Sequence, residues 1–299
     1  KILLLVDEAV KKGVLAGADV TKYYLVNPDF EHEEKGYGWT GSFTDVAGPA
    51  NNKCMEAYEK KNFDIYQVVK GAPKGVYEIS FNGFFRNGPN ADAYAEYQAL
   101  KEEGKTVEPQ AWVYVNNNMT PMKNCYDEEV PVGTLYSATT VYGPTPYVPA
   151  EDSTGYWYPN GMADAGTAFS MDMYRSYAYG IVMNDGDELR LGVKGNLGTY
   201  VWAIWDNFKM VYLGNNVEVI TPLLEKAIAD ANTNLAKRVG KEVRPMLNDA
   251  IAAGQAALGT GNGDEMFAAL SGLFATNDTV NSSVSAFNEV YAYAETIFE

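Results

Sequence analysis

The sequence predicts a mainly β protein with a helical C-terminal part: an antiparallel β-sandwich over residues 22–215, followed by an up-down bundle of three or four helices over residues 216–299. Three observations predict it. Short β-rich runs, FDIYQVVK at 63–70, VYEISFNGFFR at 76–86 and AWVYVN at 111–116, alternate or are dense in branched and aromatic residues. Turn signals separate such runs: GAPKG at 71–75 reads as a tight turn, and NDGD at 184–187 as the turn of a hairpin between 178–183 and 188–194. From residue 217 onward, alanine and leucine recur with a helical period over 219–239, 243–258 and 264–298, broken by Gly240 and by GTGNG at 259–263.

The elements follow in order. Residues 1–21 read as an amphipathic helix and linker. Ile2, Leu5, Val10 and Leu15 share one side, and Asp7, Glu8, Lys11 and Lys12 the other. A lone helix of this length is marginal in water, so it is expected to pack on a neighbouring module. A first strand is expected at 23–27, running into LVNPDFE at 25–31. Residues 91–109 and 142–161 read as long loops, which in a compact sandwich are more often functional than incidental. Met162, Ala165, Phe169 and Met173 have helical spacing and predict a short helix inserted before the last strands. The stretch VWAIWDNFKMVYLG at 201–214 predicts a long final strand, interrupted by two poor strand formers, Asp206 and Asn207. That interruption implies a local cause, such as a bound cation or a buried hydrogen-bond network. Thr276, Asn277 and Asp278 could cap a fourth helix.

Composition narrows the function. The 299 residues carry a formal net charge of −16, with 22 tyrosines and 46 % hydrophobic residues. The charge disfavours nucleic acid and anionic membranes as partners. No run reaches the roughly 18 apolar residues of a membrane helix. Lys1 to Val6 is too short for the apolar core of a signal peptide, so any export signal would lie upstream. Cys54 and Cys125 lack metal-site spacing; two buried thiols are the expectation, with one disulfide as the alternative. His32 is the single histidine. GxSxG, HExxH, P-loop and dinucleotide-binding motifs are missing from the sequence. The DGD at 185–187 lacks the spacing and closing Glu of a calcium loop, and reads as a turn.

The pair NPDFE…GWTG near the start and WDNFKMVYLG near the end resembles the galactose-binding-like jelly roll of carbohydrate-binding modules, over roughly residues 22–214. The C-terminal helices are similar to the three-helix FIVAR-type repeats of bacterial surface proteins. The resemblance implies a jelly-roll topology and a structural calcium held by Glu31 and Asp206, with carbonyls from residues 45–53. A hard cation suits that oxygen-only set; the alternative is a carboxylate bonded to backbone amides with no metal. It further implies a non-catalytic, extracellular or cell-surface protein of bacterial glycan utilisation whose partner is a polysaccharide or oligosaccharide. The ligand candidates are the loop aromatics Tyr142, Tyr147, Tyr156, Trp157 and Tyr158, whose rings suit stacking on sugar C–H faces, and Arg86, whose forked donors suit hydroxyls. Each has a plain structural alternative in packing or ion pairing. Trp39, Trp112, Trp202 and Trp205 are expected in the core. Two other functions fit the same chain: a spacer or protein-docking module of a larger surface protein, and an accessory part of a glycoside hydrolase.

Overall fold

The computed structural model describes residues 16–41, 54–116, 118–131, 156–184, 186–237 and 239–298. The expected N-terminal helix, the carbonyls of 45–53, Tyr142 and Tyr147 lie outside the described residues, except for Ala16 at the end of that helix. The first expected strand is replaced by a shorter arrangement. Ala18–Asp19 (β1) pairs with the final strand, and Thr21–Tyr24 forms one helical turn (α1) instead of the start of a strand. The cause is local: the Asp19 carboxylate accepts the Thr21 N–H at 3.0 Å and turns the chain. Leu25 remains extended, and the Gln67 side chain both donates to and accepts from the Val26 backbone.

The remaining elements are Thr40–Gly41 (β2), Met55–Tyr58 (β3), Asn62–Val69 (β4), Gly75–Arg86 (β5), Asn90–Glu102 (α2), Ala111–Val115 (β6), Asn118–Pro121 (β7), Lys123–Asn124 (β8), Val130–Pro131 (β9), Tyr156–Trp157 (β10), Met162–Ser170 (α3), Arg175–Val182 (β11), Leu189–Asn196 (β12), Trp202–Gly214 (β13), Val217–Asn234 (α4), Val243–Thr260 (α5) and Gly263–Phe298 (α6). Sheet A runs β1-β13-β5-β11, with β3 beside β13 and β8 beside β5; sheet B runs β2-β4-β12-β6-β7. All pairs are antiparallel except β5 with β8.

Two connections differ from the sequence reading. The NDGD segment joins β11 of sheet A to β12 of sheet B, and GAPKG joins β4 of sheet B to β5 of sheet A. Neither closes a hairpin; each carries the chain from one sheet to the other. Repeated crossing of this kind gives the antiparallel jelly-roll sandwich. At the first turn the Asp187 carboxylate accepts the N–H groups of Met183 and Asn184. A third difference is α2, which lies where a loop was expected. Its sequence NADAYAEYQALKE is rich in Ala, Glu, Gln and Leu, all good helix formers, and Pro89 stands at its N-cap.

The sandwich core lies between the sheets. Phe63 and Trp205 stack across it at 5.2 Å, with Ile65, Val113, Val193 and Phe81 around them. Strand β5 is buried on both faces. Tyr77, Ile79, Phe81 and Phe85 point into the sandwich, while Val76 and Phe84 point outward into two further apolar clusters. Val76, with Ile181 and Leu213, meets the bundle; Phe84, with Trp202 and Ile204, meets α3. Gly192, in the middle of β12, has no room for a side chain, because a Cβ there would lie 2.1 Å from the Ile65 carbonyl oxygen. In the bundle, Leu224, Leu247, Phe267 and Leu270 form the core, and Asn216 caps α4 by accepting the Val219 N–H at 2.9 Å. The third helix is not broken near residue 277. The Thr276 hydroxyl donates to the Gly272 carbonyl, and Asn277 accepts from Asn234 across the bundle, so the would-be capping residues are absorbed within a continuous α6.

Candidate functional site

Two places gather the residues singled out from the sequence. The first is the β-bulge in β13. Trp205 and Ala203 face the core before it, and Phe208, Met210 and Tyr212 face the core after it, so the inward parity changes between residues 205 and 208. Asn207 takes the left-handed conformation, with φ of 54°, and its N–H is accepted by the Asp206 carboxylate at 2.7 Å. The poor strand formers thus stand where the strand is irregular. The segment 27–39 rolls up beside the bulge. Phe30 stacks on Trp39 at 5.0 Å, and both rings lie against Phe208. The Trp39 indole donates to the Asn27 carbonyl, the Asn27 side chain donates to the Tyr37 carbonyl and accepts the His32 N–H, and Phe208 N–H donates to Pro28. These bonds are the physical content of the NPDFE…GWTG pattern: it clamps a loop against the last strand.

Asp206 is buried, and burial pushes its carboxyl up to about 8, with the charges of Asp29 and Glu31 adding to the effect and the Asn207 N–H opposing it. Glu31 is exposed, and its N–H donates to the Asp29 carboxylate. The structure therefore brings Glu31 and Asp206 within electrostatic reach of one another and adds Asp29, which the sequence reading had not chosen as a ligand. Among the described residues no three His, Cys, Asp or Glu side chains converge as a metal cluster, so any hard-cation cage needs backbone oxygens beside these acids. The donor chemistry fits calcium: oxygens only, with a desolvated carboxylate that a cation would restore to its ionised form.

The second place is the end of the sandwich where β5 stops. Arg86 is only 7 % exposed. It lies opposite Trp202 in the ladder, with its guanidinium 5.1 Å from the indole ring. Its Nη1 donates to Asn160 Oδ1 at 2.7 Å, and its Nε is buried without an acceptor. Among the described residues no carboxylate lies within ion-pair distance of it. The Asn160 N–H donates in turn to the buried Asp164 carboxylate at 3.4 Å. On the other side, the Trp202 indole donates to Glu56 at 2.8 Å, and burial raises the Glu56 carboxyl. The two thiols flank the same segment. Cys125 donates to the Pro159 carbonyl and Cys54 to that of Met162; both are buried and free, and burial pushes Cys125 up to about 12.

Of the loop aromatics, Tyr156 and Trp157 lie in β10, which pairs with β9. Tyr158 is buried, with its hydroxyl bonded to Glu129 at 3.2 Å and its ring edge-on to Tyr126 at 5.0 Å. Tyr94 and Tyr97 of α2 complete this tyrosine layer. The sequence does not single them out, because residues 91–109 read as a loop; the spacing of three on a helix puts them on one face. Trp39, Trp202 and Trp205 are in the core as expected, whereas Trp112 is only partly covered.

No family model and no curated protein matches the chain. Among solved structures, the chain is similar to a CBM61 module (TmCBM61) in complex with β-1,4-galactotriose, with 14 % identity, 63 % of this chain and 97 % of that one covered, and a TM-score of 0.30. It is also similar to the CBM51-2 and INT domains of ZmpB from Clostridium perfringens in complex with GlcNAc, with 16 % identity, 78 % of this chain and 36 % of that one covered, and a TM-score of 0.18. At these values the fold assignment rests on the strand pairing described above.

Proposed function

We propose that the chain is a non-catalytic glycan-binding protein acting outside the cell or at its surface, with the jelly roll as its binding module. The observation that carries this reading is Arg86. A buried guanidinium with an open Nε and, among the described residues, no carboxylate beside it is costly, and it is kept in place by an aromatic ring and an amide. Hydroxyls of a sugar would supply the acceptors it lacks, and Trp202, Asn160 and Glu56 are of the types that line carbohydrate sites. Tyr142, Tyr147, Tyr156 and Trp157 are proposed as its stacking rings, while Tyr158 is buried and packs on Tyr126. The test is retention on a panel of immobilised polysaccharides. Wild type is expected to bind at least one of them, and Arg86→Lys, which keeps the charge but loses the fork, is expected to weaken binding about tenfold or more, the loss of a charge-assisted hydrogen bond. Equal retention of the two proteins, with unchanged circular dichroism, would remove Arg86 from the site.

A structural calcium at Asp206 and Glu31 belongs to the same reading. A divalent cation would offset the desolvation of Asp206 and the repulsion from Asp29 and Glu31, and would tie the first loop to the last strand. Saturating calcium is expected to raise the melting temperature over that in chelator, by mass action on the folded state. Identical melts in the two conditions would leave Asp206 as a protonated carboxyl bonded to its neighbouring amide.

A further inference from the structure

The outer face of sheet A is covered at two places, by the bundle over Val76, Ile181 and Leu213 and by α3 over Phe84. A cleft of about 930 Å³ opens beside the bundle. Its floor is Glu78, Arg175, Tyr177 and Tyr179 of the sheet, one wall is α4 with Phe274 of α6, and the other is β7. We propose that this cleft is a binding site for a neutral oligosaccharide, built jointly by the sandwich and the bundle and distinct from the Arg86 end.

Tyr177 and Tyr179 stand two residues apart on β11 and therefore share its outward face. Tyr177 is 43 % exposed although its strand lies beneath the helices. Two tyrosines with a phenylalanine facing them offer apolar surface to sugar C–H groups. The polar groups around them are already fixed. Arg175 donates to Ser80 at 2.9 Å and to Asn82 at 3.1 Å, Tyr179 donates to Glu78 at 3.1 Å, and Asn118 donates to the Tyr179 carbonyl at 2.7 Å. Fixed donors and acceptors lose little freedom when they meet a hydroxyl. The charges decide the ligand class. Arg175 pairs with Asp172, Lys123 with Glu128, and Lys226 with Asp230, which among the described residues leaves Glu78, accepting from the Tyr179 hydroxyl, as the lining's unpaired charge and disfavours an anion. Hydroxyls, which both donate and accept, fit such a lining, and the volume lies within the roughly 300–1,000 Å³ of ligand pockets.

The experiment is isothermal titration of the full chain with cellohexaose, xylohexaose, mannohexaose, β-1,4-galactotetraose and, as the anionic comparison, oligogalacturonate. The variants are Tyr177→Ala, which removes an exposed ring, and Thr120→Trp, which fills the cleft from the β7 rim. Arg86→Lys reads the other end separately. A neutral oligosaccharide is expected to bind wild type at two sites, of which Tyr177→Ala and Thr120→Trp weaken one at least tenfold and Arg86→Lys weakens the other. The proposal is overturned if no neutral member of the panel binds, if both cleft variants bind as wild type does, or if oligogalacturonate alone binds. Binding lost in Arg86→Lys and kept in the cleft variants would support the end site and overturn this one.

Discussion

The two sheets of the sandwich share one core and present opposite outer faces. Outward from sheet A stand Val76, Ile181 and Leu213, and helices cover them. Outward from sheet B stand Asp64, Tyr66, Arg190 and Lys194. There the Asp64 carboxylate accepts from Tyr114 at 2.5 Å and from Arg190 at 2.6 Å, and the Arg190 guanidinium lies 3.6 Å from the Tyr66 ring centre. Each sheet also carries an acid with a different solution to its charge. Asp64 is half-exposed and paired; Asp206 is buried, with only a backbone N–H accepted within the described residues. The difference teaches that the outer residues of a strand, rather than its inner ones, tell which face another module will cover: the inner alternation is equally apolar in both sheets.

The sharpest way to break this comparison is to place the same charge on each outer face. Val76→Asp buries an unpaired carboxylate under the bundle and should cost about 3–5 kcal/mol, as for other uncompensated buried charges. Hydrogen exchange at 179–183 should accelerate with it. Val68→Asp, on sheet B at a side chain 39 % exposed, should stay within about 0.5 kcal/mol. Equal losses in urea denaturation would show that the bundle does not bury Val76 in solution.

The two acids supply the next test. Because the Asp206 carboxyl is raised to about 8 from an ordinary value of 3.8, the folded state holds its proton more tightly than the unfolded chain. Its contribution is full below the unfolded value and is lost as pH rises through the folded one. In chelator, stability should therefore fall between about pH 4 and about pH 8, and Asp206→Asn should flatten that fall. Calcium added at the upper end should restore the melting temperature of wild type but not of Asp206→Asn. A wild-type profile in chelator with no such fall would mean that Asp206 is ionised and compensated in solution.

The smallest effect belongs to sheet B. Arg190→Ala removes an ion pair and a cation–π contact at a solvent-facing site. It should cost about 0.2–1 kcal/mol, less in high salt. A loss several times larger would make the Asp64–Arg190–Tyr114 network a structural element on a par with the covered face of sheet A.

Much of this was legible along the chain. The alternation of FDIYQVVK marks the inward set Phe63, Ile65 and Val69, and the alanine and leucine period from residue 217 marks the bundle core. Asp206 and Asn207 announced an irregularity in the last strand. The stretch at 91–109 was misread because its loop flanks outweighed a strong local helix propensity, and Tyr94 and Tyr97 were lost with it. The NDGD turn was misread for a different reason: a turn signature says that the chain reverses, not which sheet it enters next.

By itself, the sequence determined the main strands of the sandwich, the C-terminal helices and the place where the last strand could not be regular, because these follow from periodicity and backbone propensity within a few residues. Tertiary structure decided the rest. Which sheet each strand enters is one such decision; the meeting of Arg86 with Asn160 and Trp202 joins residues 74 and 116 positions apart, and the cleft joins Tyr177 to Phe274, 97 positions apart. No local rule fixes such distances, since they depend on how the covered faces pack once each has found the other.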